Sequence, residues 1–547
     1  MSSWVDDRER PQWDGATGWG RRPVASAAMT TDEHSTSADF EMGPGVPTPP
    51  IPLTGGPAAA TARTTAIPVA VTDALASRLA ATGATVTDDP ATVTEAGRDW
   101  WPLAMTWAVE GQVGGRASLV VRPGAVAQVA DVLAICNEAR VPVTAAAGRS
   151  GVLGGTVPIF GGVVLDLCGL AGIRAVDDTS LVVDVLAGTF GDLFEAELRT
   201  DHGLTCGHWP QSMTLSTVGG WLACRGAGQF STRYGKIEDM VVGLDVTLAD
   251  GRTITTGGHP RQATGPDLNQ LFVGSEGTLG VITGARLRVH PAPTHTERSA
   301  WSFPSMADGL DFCRRILRRG ATPAVLRLYD GVESDRSYHV GTDRFVVLVL
   351  DEGDPAIVAG VMAVVADEAR TMTGKVAERL DDDLLDHWLA KRNDVSQLEP
   401  LIAGGLVVDT MEVSGPWSAL PGIYDAVVAA MMAVPGCLAA SAHASHSYLD
   451  GACLYFTFGG KPEHNTAGSK AALHAAIWDA GQRAVLVRGG SLSHHHGIGL
   501  HRGRYLAEAL GGAHGVLQSV KDALDPHGIL NPGKLGLANP FGVPDLP

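Results

Sequence analysis

The chain lacks the marks of several common functional classes. No CxxC pair occurs among its seven cysteines, scattered from Cys136 to Cys453, so neither a structural zinc site nor a disulfide scaffold is expected. Basic residues are few: 41 Lys and Arg against 59 Asp and Glu leave a net charge of −18, which argues against nucleic acid as a partner. The longest charge-free apolar run, Ala426–Ala442, is broken by Pro435-Gly436 and reads as a helix end followed by a strand, not as a membrane span. Met1–Trp19 is polar and charged, unlike a secretory signal, and Asp545-Leu546-Pro547 is not a Ser-Lys-Leu address. A cytoplasmic location is expected. Neither a GxGxxG turn after a first strand nor a GxxxxGK[ST] loop is present, so those nucleotide-binding folds are unsupported.

What is there suggests several domains: 547 residues, 45% of them apolar, can bury more than one core. Residues 1–68 read as a tail whose Pro, Gly, Ser, Thr and Ala content cannot offset the entropy of ordering, hence a disordered linker. From Ser118 short Val/Leu strands alternate with helical spacing. Leu119–Val121 is followed by a helix through Val129, Val132, Leu133 and Cys136, and Asp250-Gly251 signals a hairpin. The fold class expected is α+β with mixed sheets. A first α+β domain is placed at 95–294, a second at 295–480, and a C-terminal segment with helices at 481–547.

Three Gly-rich turns stand out: Ala145–Gly155, Pro210–Gly228 and Gly274–Thr283. Small residues let backbone N–H groups approach a pyrophosphate closely. Any one of them alone reads as a structural turn; three in this strand–helix context argue for a cofactor cradle. Near the C-terminus His494, His495 and His496 stand between a Gly/Ser turn and Gly497-Ile498-Gly499. Imidazole titrates near neutrality, so the cluster suggests proton handling or metal binding, with a solvated polar loop as the plain alternative.

These motifs resemble the FAD enzymes of the vanillyl-alcohol oxidase, or PCMH-type, superfamily over about residues 95–540. The anchors are Val121-Arg122-Pro123, Gly148–Gly155, Ser216-Thr217-Val218-Gly219-Gly220, Tyr234-Gly235, Leu248-Ala249-Asp250-Gly251, Gly274–Gly280 and Asn531-Pro532-Gly533-Lys534. The resemblance implies an FAD domain of two α/β subdomains, a cap domain and a helical C-terminal segment. It implies FAD contacts from Ala147, Gly148, Arg149, Ser150 and Gly151 in the first turn. From the second come Gln211, Ser212, Ser216, Thr217, Val218, Gly219, Gly220, Cys224, Arg225, Gly226 and Ala227. The third supplies Gly274, Ser275, Glu276, Gly277, Thr278, Leu279 and Gly280. Some relatives tether the flavin through a His two residues after an Arg-Ser-Gly-like turn; here Val152 and Leu153 follow Arg149-Ser150-Gly151, so non-covalent FAD is expected.

Two branches of that family compete. D-2-hydroxyacid dehydrogenases carry HxxGDGNxH and GEHG segments that hold a divalent metal. Here the counterparts read His446–Tyr455 and His494–Gly497, with Tyr455 and His495 in place of two ligands, so no metal is expected, a three-histidine site with His446 being the lesser alternative. The alkylglycerone-phosphate synthase branch is more similar locally, in Gly219-Gly220-Trp221 with Arg225, Tyr234–Asp239, Asp450–Phe456, Ser493–Gly499 and Trp13…Trp19-Gly20. That branch exchanges the acyl group of an acyl-dihydroxyacetone phosphate for a fatty alcohol through a flavin N5 adduct, giving an ether lipid precursor. The resemblance makes Tyr455 the proton acceptor, its phenolate favoured by nearby imidazoles. It makes His495 and His496 polarising or protonating groups, with His494 counted among the catalytic residues, and Arg327 a phosphate fork. A packed strand aromatic and a solvent-facing arginine are the bland readings of Tyr455 and Arg327.

One departure stands out. A further phosphate-gripping arginine of the family falls at Leu398, with Arg392 nearby as a substitute. An FAD-dependent dehydrogenase or oxidase of a D-2-hydroxy acid or other alcohol is therefore the alternative activity, and a flavin-binding sensor a third. The expected partner is a small or lipid-like substrate. Peripheral membrane contact and a homodimer are compatible with the sequence.

Overall fold

The structure, a computed structural model, describes residues 45–372 and 377–544. Three principal sheets organise them. The first has four strands in the order Thr85–Thr87, Leu119–Arg122, Val163–Asp166 and Val143–Ala146, parallel except at the first. Its Val/Leu strands are buried on both faces, which is why they read as continuous apolar runs. The helix Val126–Ala139 covers it through Val129, Val132, Leu133 and Cys136.

The second sheet is antiparallel, in the order Thr253–Gly257, Val241–Thr247, Val281–Arg288, Val182–Leu186 and Ile173–Asp177. The hairpin expected at Asp250-Gly251 is there, with Thr247 opposite Thr253 and Gly251 at φ 85°. The third sheet is also antiparallel and has seven strands. They run Glu378–Leu380, His295–Phe303, Phe345–Gly353, Val325–Tyr329, Cys437–Ser447, Gly451–Gly460 and Val407–Pro416. One face packs on helices Met306–Arg318, Pro355–Thr371 and Leu420–Met432 through a large apolar cluster. Along Gly451–Gly460 the residues alternate: Leu454, Phe456 and Phe458 are buried in that core, and Tyr455 and Thr457 line a cavity.

Two expectations need correction. Residues 45–68 are not an unpacked linker, because Ile51, Leu53 and Ala60 are buried against Trp100 and Met105. Three apolar side chains suffice to anchor a segment whose composition otherwise argues for disorder; the expectations for residues 1–44 lie outside the described residues. The boundary drawn at 480 falls inside a 21-residue helix, Ala467–Val487. This helix was not anticipated because its buried face carries Lys470, His474 and Gln482 while its exposed face carries Ala472, Ala476 and Val487, so the sequence shows no amphipathic stripe. Past it the chain returns to the first sheet, where the Val143 N–H donates to the Ile529 carbonyl and the Asn531 N–H to the Val143 carbonyl, each at 2.8 Å. No helix among the described residues is long and apolar enough to cross a membrane.

Candidate active site

The strand Val143–Ala146 delivers the first Gly-rich turn. Among the described residues, the backbone N–H groups of Gly148, Arg149, Ser150, Gly151 and Val152 donate to no protein acceptor, and Arg149 has φ 58°. Consecutive free N–H groups in such a turn form an anion-binding nest. A Cβ on Gly148 would lie 2.2 Å from the Leu215 carbonyl oxygen, so glycine lets the first turn press against the second. Within the second motif the Thr217 hydroxyl accepts from the Gly220 N–H and caps helix Val218–Cys224. Asn531 ties first turn to third, donating to the carbonyls of Gly155 at 3.0 Å and Glu276 at 2.6 Å.

Together these turns wall a cavity of about 980 Å³. Of the expected cofactor contacts, Ala147 through Gly151, Gln211, Ser212, Ser216, Thr217, Gly219, Gly220, Cys224, Gly226, Ala227, Glu276, Gly277 and Gly280 line it. The others do not. Val218 and Leu279 are core residues. Arg225 turns to Gln270 and Glu238, and Gly274 packs under the stem of Arg225. Ser275 and Thr278 bond to each other. Arg149 contributes its backbone, since its guanidinium is paired with buried Asp166 at 2.8 Å. A nest of unengaged N–H groups at one end of a cavity this size fits the pyrophosphate of a dinucleotide cofactor.

The rest of the lining collects the chemical groups. Tyr455, on the strand Gly451–Gly460 next to the edge of the cap sheet, stacks on His443 with ring centroids 4.8 Å apart. Its hydroxyl donates to Thr410 Oγ1 at 3.0 Å. Burial, with the charges of Asp409 and Glu412, pushes its pKa up. The phenolate expected from nearby imidazoles is therefore disfavoured, because those imidazoles are themselves neutral. Arg327 Nη2 bonds His443 Nε2 at 2.6 Å, and Glu333 Oε2 lies 2.7 Å from His443 Nδ1. A guanidinium can only donate, so Nε2 holds the lone pair and Nδ1–H donates to Glu333. Burial and Arg327 hold the His443 pKa down to about 4, which agrees with this neutral tautomer.

The histidine turn is positioned by two carboxylates, buried Glu412, which sequence reasoning did not assign, and Glu276, which it assigned to the cofactor. Glu412, opposite Tyr455 in the sheet, accepts from the N–H groups of His494 and His496, from Ser493 Oγ and from Arg502 Nη1. Glu276 accepts from the N–H groups of Ile498 at 2.6 Å and Gly499 at 2.8 Å. His495 and His496 line the cavity; His494 lies behind them. His446 joins them, stacked on His494 at 5.0 Å and edge-on to His495 at 4.9 Å. One nitrogen of each of His446, His494 and His495 falls within 4.8 Å of the other two. Burial pushes the pKa of all three well below the ordinary imidazole value.

Arg392 also lines the cavity, packed among Trp209, Phe230 and Trp388 with its guanidinium 5.2–5.7 Å from the rings. Its Nη1 is buried without a hydrogen-bond partner, and burial lowers its pKa to about 10. Arg327 sits 5.8 Å from the same Trp388 ring. Among the described residues neither guanidinium has a carboxylate within ion-pair distance. Leu398, Leu401 and Leu438 form an apolar wall leading outward, with Leu401 40% and Leu438 61% exposed at its rim.

The chain is 31% identical over 437 residues to an FAD-linked oxidoreductase of Escherichia coli (strain K12), covering 76% of this chain and 88% of that one. It belongs to the FAD-linked oxidase family. Two family models match, "FAD binding domain" over residues 117–257 and "FAD linked oxidases, C-terminal domain" over residues 292–535. FAD is the cofactor, and the chain is an FAD-dependent enzyme. Another relative is the alkyldihydroxyacetonephosphate synthase of Dictyostelium discoideum, 26% identical over 466 residues, 78% of this chain and 74% of that one. Among solved structures, an alkyldihydroxyacetonephosphate synthase superposes with a TM-score of 0.71 at 23% identity, covering 89% of each chain. p-Cresol methylhydroxylase does so at 0.66 and 16%, covering 86% of this chain and 99% of that one. These likenesses bear out the PCMH-type fold.

Proposed function

We propose that this FAD enzyme acts on a substrate with an anionic head and an apolar chain, in an acyl-for-alkyl exchange of the alkylglycerone-phosphate synthase type. The observation that carries the reading is the pair Arg327 and Arg392, two guanidiniums without carboxylate partners that share one Trp ring in the cavity bearing Tyr455 and the histidines. Leaving Arg392 Nη1 buried without a partner is costly unless an anion completes it, and Arg327, held by Tyr329 and His443, adds a second positive charge beside it. Arg392 takes the part of the arginine replaced by Leu398. The apolar wall of Leu398, Leu401 and Leu438 suits a fatty chain, and its exposed rim suits contact with a lipid surface.

FAD, held without a covalent link, supplies an N5 that can take up substrate electrons or form a bond to the substrate carbon. The chain's own residues bind the head, orient the reacting carbon, and move protons through His495 and His496. Tyr455 serves as a phenol that hydrogen-bonds a substrate oxygen. The cofactor cradle, cap sheet and C-terminal segment form the working units, about 95–294, 295–487 and 488–547, assembled as a homodimer.

A second reading is dehydrogenation of a hydroxy acid or other alcohol, favoured by Leu398 standing where a phosphate-binding arginine is expected. Anaerobic flavin absorbance separates the two. Bleaching by palmitoyl-dihydroxyacetone phosphate, reversed by hexadecanol without an oxidant, supports exchange. Bleaching by a D-2-hydroxy acid that lasts until an electron acceptor is added refutes exchange and supports dehydrogenation.

A further inference from the structure

A buried imidazole that cannot hold a positive charge is a poor base by itself. It can still accept a proton at one nitrogen if its other nitrogen passes one on at the same time. His495 and His446 both line the cavity, and each has its second nitrogen in a hydrogen bond directed away from it. His495 Nδ1 lies 2.9 Å from His494 Nδ1, and His494 Nε2 lies 3.1 Å from the Tyr448 hydroxyl. That hydroxyl is 3.1 Å from Ser231 Oγ, which is 2.7 Å from His446 Nδ1. The chain therefore leaves the cavity at His495 and re-enters it at His446. Every link joins groups that can both donate and accept.

We propose that His495, His494, Tyr448, Ser231 and His446 form one proton relay with both ends on the reaction cavity, so that a proton taken from one substrate atom is returned to another without charge being left on any imidazole. His495 Nε2 accepts the substrate proton and its Nδ1–H passes to His494 Nδ1. The His494 Nε2–H passes to the Tyr448 oxygen, the tyrosine proton to Ser231 Oγ, and the serine proton to His446 Nδ1. The His446 Nε2–H then protonates the departing or newly formed oxygen. No bond other than those to hydrogen changes in the relay, and the reverse sequence resets it. Burial alone disfavours imidazolium at all three rings, and Lys236, whose ammonium donates to the His494 carbonyl at 2.6 Å, adds to this. The inference rests on the reading that this cavity moves substrate protons. Tyr448 and Ser231 are relay residues here and touch neither substrate nor flavin.

The linkage makes a demand on tautomers that no independent set of histidines would meet. In one direction His446 and His494 carry Nε2–H while His495 carries Nδ1–H; in the other all three are reversed. His495 is thus always the opposite tautomer. Long-range ¹H–¹⁵N spectra of ¹⁵N-histidine-labelled holoenzyme, assigned by single substitutions, should show this pattern at neutral pH. An imidazolium at any of the three positions, or His495 sharing the tautomer of the other two, overturns the relay. So does a stoichiometric divalent metal in the purified holoenzyme, because a metal on the three clustered nitrogens would take the lone pairs the relay needs.

The second test is Tyr448→Phe, which keeps the ring stacked on His494 and removes the link. With whichever substrate bleaches the wild-type flavin, the bleaching step should slow about a hundredfold or more. Flavin content and substrate KM should be unchanged, and a curved proton inventory in H₂O/D₂O mixtures should become linear. An unchanged rate overturns the relay. A wild-type flavin that no probe bleaches counts against the proposed function instead, and the tautomer pattern still decides the relay.

Discussion

Glu412 is the residue whose removal should be felt most widely. Its side chain and that of Arg502 are both 0% exposed, paired at 2.8 Å. Among the described residues Arg502 otherwise has only the carbonyls of Glu412 and Gly497 as acceptors, so Glu412→Gln leaves its charge buried and uncompensated. Breaking a buried pair from one side costs about 3–5 kcal/mol. The amides of His494 and His496 and the Ser493 hydroxyl also exchange a charged acceptor for a neutral one. Urea unfolding of flavin-saturated protein, followed by tryptophan fluorescence, should report that loss, with flavin bleaching abolished because the histidine turn is no longer held. Glu412→Gln/Arg502→Met, which removes both charges, should regain most of the stability but not the activity. A single-mutant cost below about 1 kcal/mol would refute the reasoning. Acid supplies a further check. Burial pushes the Glu412 carboxyl up, but Arg502, His496 and the His494 amide more than reverse this and hold it below its ordinary value of 4.5. Its stabilisation is therefore complete above that value and lost as pH falls through the depressed one. Glu412→Gln should flatten that acid limb.

Other outcomes follow from single contacts. Gly148→Ala places a Cβ 2.2 Å from the Leu215 carbonyl oxygen, and should sharply reduce the flavin bound per chain, read from the visible-to-ultraviolet absorbance ratio. Gly499→Ala sets a Cβ 2.2 Å from the Leu153 carbonyl oxygen at φ 55°, and should lower the thermal midpoint by loosening the histidine turn from the first cofactor turn. Arg392→Met should raise KM for an anionic substrate roughly ten- to hundredfold with flavin content unchanged. An unchanged KM would remove Arg392 from the head-binding role. Asp166→Asn leaves Arg122 and Arg149 without their shared carboxylate and should weaken flavin binding through the first turn.

By itself the sequence determined what depends on neighbours along the chain. The turn around Gly148–Gly151 is legible because the close backbone approach at Gly148 requires glycine, and strands such as Val163–Asp166 are legible because burial on both faces demands continuous apolar residues. Pattern alone could not say which members of a Gly-rich turn face the ligand. Val218 and Leu279 share motifs with cavity residues, and only packing sends them into the core. Helix Ala467–Val487 escaped for the same reason, since its surroundings and not its periodicity bury it. The site was less legible still. Ser231 meets His446 across 215 positions, and Glu412 holds His494 across 82, with nothing local to announce either contact. The Tyr455 phenolate is a further instance: a tyrosine among histidines suggests one until the tertiary structure buries those histidines and keeps them neutral. Local geometry is written in adjacent residues, whereas desolvation and partnership belong to segments that only folding brings together.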